Sequence, residues 1–523
     1  MTAGFAEDLP DNKLGRLEKI PSKTTIASTA ADANRGTTGR GENHVEGNRR
    51  WWILIVLGIA QLMVVLDATI VNIALPGAQR DLQFADADRQ WVVTGYALAF
   101  GSLLLLGGRL GDLFGRRRAF MIGLLGFAIA SAIGGASATF GMLVAARVGQ
   151  GVFGALLAPA ALSLLTVTFT NSSERAAASG VFSAIYGGAG VVGLLLGGAL
   201  TEWASWRWAL YINLPFAGVA LIGALVLIAR DVGHQTPALD LPGTVTGTAG
   251  LFSLVYGFSH STVNGWSDVT TVGFLTAGVI LLIVFVVLQI RVPHPLLPLY
   301  IILDRTRGGA YVAIFVVGTG IFATFLFLTY YMQLVLHYSP IKAGAGFLPM
   351  VIGVILAATA TPLIVIPLIG VKAAVAGGFI MSAASMATLT RIGLNSHYLS
   401  HILPGQLLLG LGVGVVLSVA FQGATAVVDR DDAGMASATL NAMQQVGGSL
   451  GTALLSTLAV TAATNYVHSR ALSQVTLAQA HVVSYVTAFW CTLGIFLAGA
   501  LVVAGLLPNR LPTAAHQQTV VGG

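Results

Sequence analysis
The chain has 523 residues, of which 55% are hydrophobic and 9% charged, with a net charge of +6 and a single cysteine. With a mean hydropathy of +0.81, it has too little polar surface to coat a water-soluble fold of this length, which excludes an ordinary globular domain and points to a polytopic membrane protein. Cys491 alone cannot form an internal disulfide, and the ten histidines are scattered without metal-ligand spacing, so neither thiol chemistry nor a metal centre is expected.

Residues 1–50 carry eight Lys and Arg among Gly, Thr, Ser, Asp and Glu with no sustained apolar period. That composition predicts a disordered tail, and it lacks the apolar core and small-residue cleavage site of a signal peptide. Beyond it, apolar runs of about 20 residues recur, each long enough to cross a hydrocarbon core as a helix. They predict 14 spans, at 51–75, 91–111, 118–138, 141–168, 176–199, 208–229, 242–260, 270–290, 308–333, 345–368, 371–391, 402–424, 435–462 and 483–507. If both ends are cytoplasmic, 20 of the 27 Lys and Arg fall inside; Arg80, Arg89, Arg207, Lys342, Arg391 and Arg470 fall outside and Arg147 within a span. This is the positive-inside pattern, and it accounts for the basic balance without invoking nucleic acid.

An ionisable group at bilayer depth costs at least about 2.5–3.5 kcal/mol, and two stand out. Asp67 lies in the first span, in Leu66-Asp67-Ala68-Thr69-Ile70-Val71-Asn72. Arg147 lies in the fourth, where Arg147, Gln150, Gly151 and Gly154 share one helical face. One reading makes Asp67 and Arg147 a structural ion pair that fixes helix packing. The other makes Asp67 a group that takes up and releases a proton as a conformational change alters its burial or its arginine neighbour. The residues alone leave both open.

Between the second and third spans, the segment from Gly108 to Arg118 forms a short polar hairpin. Asp112 at a helix end, with Arg109, Arg116, Arg117 and Arg118 able to make charge-assisted bonds to it and to helix C-termini, reads as a latch; the last three arginines read equally well as topology signals. The counterpart in the second half, residues 367–372, keeps only Gly370 and Lys372, a degenerate latch. In the fifth span Gly190, Gly193, Gly197 and Gly198 allow close helix approach. Polar and aromatic residues at helical spacing are candidates for lining a cavity: Gln61 in the first span, Phe315, Thr319 and Phe322 in the ninth, Tyr330, Gln333 and His337 at its end, and Asn441, Gln444, Gln445 and Gly448 in the thirteenth. The amides are the better candidates, because a buried Gln or Asn needs a partner that an aqueous cavity supplies; a phenylalanine stripe more often packs.

These segments, in order, resemble the major facilitator superfamily and, within it, the 14-span drug:proton antiporters. The hairpin 108–118 is similar to the family's loop signature, residues 66–76 to its first-helix motif and 147–154 to its fourth-helix motif. Trp206-Arg207-Trp208 with Ile212-Asn213-Leu214-Pro215, the stretches around Tyr331-Met332-Gln333, Ser339-Pro340 and Leu348-Pro349, and residues 437–451 add to the match. The resemblance implies an all-α integral membrane fold of two six-helix bundles, 51–230 and 292–507, with two additional central helices in 231–291, between a tail at 1–50 and a cytoplasmic C-terminal tail at 508–523. The bundles would rock about a midplane site. It implies that Asp67 and Arg147 carry proton coupling, that Gly108, Arg109, Asp112, Gly115, Arg116 and Arg117 form a cytoplasmic gate, and that Gly193, Gly197 and Gly198 form the helix-packing antiporter motif. In that motif Leu194 stands where the family has proline, so the proline kink is absent.

The expected function is proton-driven efflux of small amphipathic compounds, an antibiotic, drug or self-made metabolite, across a bacterial plasma membrane; the alternative is an exporter or uptake symporter of a defined metabolite on the same fold. The energy source is the proton gradient with no cofactor, and the expected partners are the substrate, protons and membrane lipid, with the chain acting as a monomer. There is no His-Glu-x-x-His, no paired carboxylates at depth and no nucleophile with its base, so an enzyme is not expected. The second half has no acid within its spans, since Asp429, Asp431 and Asp432 lie in a loop. A neutral, weakly basic or anionic substrate is therefore expected rather than a divalent cation.

Overall fold
A computed structural model describes residues 28–169, 171–229, 240–293, 295–296, 303–425, 433–468, 470 and 473–509. Residues 1–51 form one unit and 52–523 a second. Within the segment 1–50 expected as a disordered tail, the chain is helical from Ser28; residues 1–27 lie outside the described residues. Ala30, Ala31 and Ala33 favour helix, and no proline interrupts the chain between Pro21 and Pro76.

The first half contains α1 (Ser28–Leu82), α2 (Gln90–Phe114), α3 (Arg116–Gly135), α4 (Phe140–Thr168), α5 (Ser172–Trp203), α6 (Trp208–Tyr211) and α7 (Asn213–Leu227). The central pair is α8 (Leu241–Asn264) and α9 (Val269–Arg291). The second half contains α10 (Arg305–Tyr330), α11 (Pro340–Ala345), α12 (Leu348–Ala360), α13 (Ile366–Leu389), α14 (Leu403–Thr425), α15 (Ala433–His468) and α16 (Gln474–Leu506). Each expected span coincides with a helix or a broken helix. Eleven helical runs among the described residues are long and apolar enough to cross a membrane, one of them covering both the tenth and eleventh spans. The protein is an all-helical, multi-pass membrane protein.

The breaks have local causes. The sixth span splits into α6 and α7 at Ile212, since Pro215 has no N–H to close the turn onto Tyr211. The tenth passes from α12 into a π-helical turn at Thr361–Val365 that contains Pro362. The hairpin expected at 108–118 is shorter than its composition indicated: α2 runs through Phe114, α3 starts at Arg116, and only Gly115 stands outside the helices at φ 93°, ψ 133°. Glycine adopts that conformation at little cost, and Gly370 repeats it at φ 78° between the tenth and eleventh spans.

In the first half α2 and α3 pack on α4, and α7 closes on α3; in the second, α10 packs on α15, and α14 on α12 and α13. The helix α2 also runs along α15, and the α8–α9 hairpin touches both, so residues 52–523 are one compact unit rather than separable halves. The end of the molecule carrying Gly115 is called the loop face below, and the other end the opposite face. Outward on α9, Val272, Val279, Ile280, Ile283, Val286 and Ile290 are exposed, as suits a helix that meets lipid.

Candidate functional site
Five helices of the first half converge on Asp67, which is fully buried. Its Oδ2 accepts from Arg147 Nη1 at 2.5 Å, and its Oδ1 from Gln150 Nε2 at 2.8 Å and Asn213 Nδ2 at 2.7 Å. Ser131 Oγ accepts from the same two amides, at 2.8 and 3.3 Å. Arg147 is held from its other side: its Nε donates to the Val92 carbonyl at 3.0 Å and its Nη1 to Gln150 Oε1 at 2.7 Å. Its guanidinium lies 4.4 Å from the Tyr96 ring centroid. A buried ion pair offsets its desolvation only when the remaining hydrogen-bonding capacity is satisfied as well, and the amides supply that here. Every bond to the carboxylate is donated to it, so protonation would turn one of its oxygens into a donor facing donors. The arrangement can therefore rearrange on proton uptake.

Two of the α5 glycines sit against this network. A side chain at Gly193 would collide with Thr69, and one at Gly197 with Ile70, in the α1 stretch that carries Asp67. Gly198 faces the second half instead, where an added Cβ would lie 2.5 Å from the Ile341 Cα, and Gly344 of α11 lies against the Leu194 carbonyl. Leu194 is fully buried, and its backbone makes a close interhalf contact.

That contact belongs to a closure on the opposite face. Arg89, just before α2, is buried, with its guanidinium 4.2 Å from the Tyr330 ring centroid and 6.0 Å from that of Tyr485. Asp86 lies 3.8 Å from Arg89 and 3.7 Å from His481. Gln333, on a π-helical turn at Tyr331–Val335, donates to the Ile73 carbonyl of α1 at 2.9 Å. Glu202 accepts from the Ile341 N–H at 3.1 Å. The halves are thus joined at this end by a cation between aromatic rings, by backbone bonds and by glycine contacts. On the loop face, Arg109 Nη2 donates to the Pro295 carbonyl at 2.5 Å and Arg117 Nη2 to the Leu225 carbonyl at 3.0 Å. Gly108 is near Pro159, Arg116 is half-buried, and the Asp112 side chain lies outside the described residues.

A family model described as Major Facilitator Superfamily matches residues 57–452. The chain belongs to the Major Facilitator Superfamily. It is 44% identical to the puromycin resistance protein pur8 of Streptomyces alboniger, over 89% of this chain and 93% of that one. It is 36% identical to the cephamycin export protein CmcT of Amycolatopsis lactamdurans, over 77% and 84% of the two chains. A solved structure of an auto-inhibited POT family peptide transporter shares the fold, with a TM-score of 0.62 at 16% identity, covering 88% of this chain and 96% of that one.

Within this superfamily fold the expected cavity residues separate into two groups. Gln61 is buried on α1. Asn441, Gln444 and Gln445 are half-buried on α15, where Gln445 meets Gly101 of α2 and the Gln444 backbone meets Gly318 of α10. Of these, Gln445 lies between the halves. Phe322 is half-buried and packs over Gly448. Tyr330 and Gln333 belong to the closure on the opposite face rather than to this group, because Arg89 covers one and the Ile73 carbonyl engages the other.

Three contributors were not singled out as site residues from sequence. Asn213 reads there only as part of the sixth-span motif, although an amide at the start of an apolar helix is a usable signal. Ser131 carries no signal at all in its Ala-Ser-Ala setting. Arg89 reads as an ordinary loop charge until the fold buries it.

Proposed function
We propose that this chain exports small amphipathic compounds of the antibiotic or secondary-metabolite class from a bacterial cell, driven by the proton gradient. It works as a monomer in the plasma membrane with both termini cytoplasmic, the loop face inside and the opposite face outside. The observation that carries the reading is the 44% identity to a puromycin resistance protein along 89% of the chain, and the cephamycin export relative points the same way.

The buried network supports the coupling. With the outside closed by Arg89, Tyr330 and Gln333, Asp67 is held by Arg147, Gln150 and Asn213. When the outer end opens, a proton reaching Asp67 weakens its hold on Arg147, and the proton leaves to the inside once the cavity turns inward. Each elementary charge moved inward gains about 2.3 kcal/mol per 100 mV. Asp67 is the acid of the buried first-half network, and the second half contributes none within its spans, so the substrate is neutral, weakly basic or anionic.

The test is drug-dependent proton release from acid-loaded inside-out vesicles, with a panel including puromycin, anionic antibiotics and dicationic dyes. Export predicts substrate-induced alkalinisation that Asp67→Asn abolishes. Transport of dicationic dyes in preference to all other compounds would overturn the substrate class, and unaltered proton flux in Asp67→Asn would overturn the coupling.

A further inference from the structure
The base of the α8–α9 hairpin holds a buried carboxylate that the transport scheme above does not use. Asp240, 3% exposed, caps α8: its Oδ1 accepts from the Gly243 N–H at 2.7 Å. Its Oδ2 accepts from Gln289 Nε2, near the end of α9, at 2.6 Å, and from the Leu296 N–H at 3.3 Å. One carboxylate therefore ties together the start of α8, the end of α9 and the chain leaving the hairpin. The site is tightly built, since a side chain at Gly243 would run into both Asp240 and Gln289.

The Leu296 N–H belongs to the same peptide group as the Pro295 carbonyl, the group to which Arg109 of the gate segment donates at 2.5 Å. That single peptide is gripped on both edges, by Arg109 from the first half and by Asp240 from the central hairpin. A peptide held from one edge can turn about its neighbouring bonds; held from both, it presents its carbonyl in one direction. Arg109 then has a fixed acceptor, and its charge-assisted bond is worth more for not having to order that acceptor first.

We propose that Asp240 is a positioning residue for the cytoplasmic gate: by orienting the Pro295–Leu296 peptide it sets where Arg109 docks, and so couples the two additional helices to gate closure. This rests on the alternating-access reading given above. In Asp240→Asn one acceptor oxygen remains where the carboxylate had two, so the side chain cannot serve Gly243 on one side and Gln289 with Leu296 on the other; its N–H2 faces a donor in either orientation, and the grip on the peptide weakens.

The experiment uses the full chain with Cys491→Ser, reconstituted in lipid, with spin labels at Thr166→Cys and Leu368→Cys on the loop face of the two halves. Asp240→Asn and Arg109→Gln are each expected to shift the interlabel distance distribution in the same direction, and the double variant to shift it no further. In transport, Asp240→Asn is expected to lower Vmax at least fivefold with KM within twofold of the parent. If Asp240→Asn does not fold, Gln289→Ala loosens the same carboxylate and must reproduce the shift. The proposal is overturned if the Asp240 variant matches the parent, if Arg109→Gln causes no shift, or if the two shifts add. The distance measurement needs no substrate, so a parent that moves none of the compounds tested would sink the export reading while leaving this comparison standing.

Discussion
Asn213 donates its amide to Asp67 at 2.7 Å although 146 residues separate the two in sequence. The bond makes the first residue of α7 part of the charge network, and it puts a polar group where a broken apolar helix would otherwise begin. Asn213→Ala leaves Asp67 Oδ1 with Gln150 as its described donor. A hydrogen bond to a charged group contributes about 1.5–3 kcal/mol, so the variant is expected to unfold at lower temperature in detergent and to lose most of its proton-coupled transport. Wild-type thermal stability together with normal coupling would show that Asn213 is incidental to the site.

Replacing one partner of the buried pair should cost more than replacing both. Removing one side of such a pair typically costs about 3–5 kcal/mol because an uncompensated charge remains. Arg147→Ala is therefore expected to be far less stable than Arg147→Met combined with Asp67→Leu, while both are uncoupled. Arg147→Lys keeps the charge but loses the separate bond to the Val92 carbonyl, and its coupled transport is expected to fall more than tenfold. Denaturation midpoints and vesicle proton flux, measured on the same preparations, check both statements.

On the opposite face Arg89 lies over Tyr330 and joins the two halves. A desolvated cation–π contact is worth about 2 kcal/mol, which corresponds to roughly 30-fold in a two-state ratio. Arg89→Ala should therefore move the population toward the outward-open state. Spin labels at Ala85→Cys and Leu399→Cys, on the outer ends of the two halves, are expected to report longer distances in this variant. An unchanged distribution would show that Gln333 and the glycine contacts close the outer end without Arg89.

The α5 glycines differ in what lies in front of them. Gly190→Ala meets nothing within 4 Å and is expected to be neutral or stabilising by up to about 1 kcal/mol through helix propensity. Gly198→Ala places a methyl group against the Ile341 backbone, and Gly344→Ala places one against the Leu194 carbonyl. Both should wedge the outer end open and lengthen the same outer distance, with lower transport. Equal behaviour of Gly190→Ala and Gly198→Ala would show that the contact between α5 and α11 does not limit closure.

Much of this protein can be read from windows of about 20 residues. Apolar runs, Lys and Arg placement and the Asp67 and Arg147 segments determine that the chain spans a membrane, that it has the superfamily's order of helices, and which two charges lie at depth. Each of these properties is set by residues near one another in sequence, because a helix satisfies its own backbone and its apolar length is local. Partner choice is not local. Which backbone carbonyl Arg109 meets, whether Tyr330 lines a cavity or stacks under Arg89, and whether Asn213 reaches Asp67 depend on how helices rotate and cross. Those rotations follow from packing summed over whole faces, with glycines such as Gly193 and Gly198 allowing approaches that no single motif encodes. The tertiary structure alone therefore decides which of the charged and amide side chains form the buried network around Asp67, which join the halves on the opposite face, and which peptide Arg109 holds.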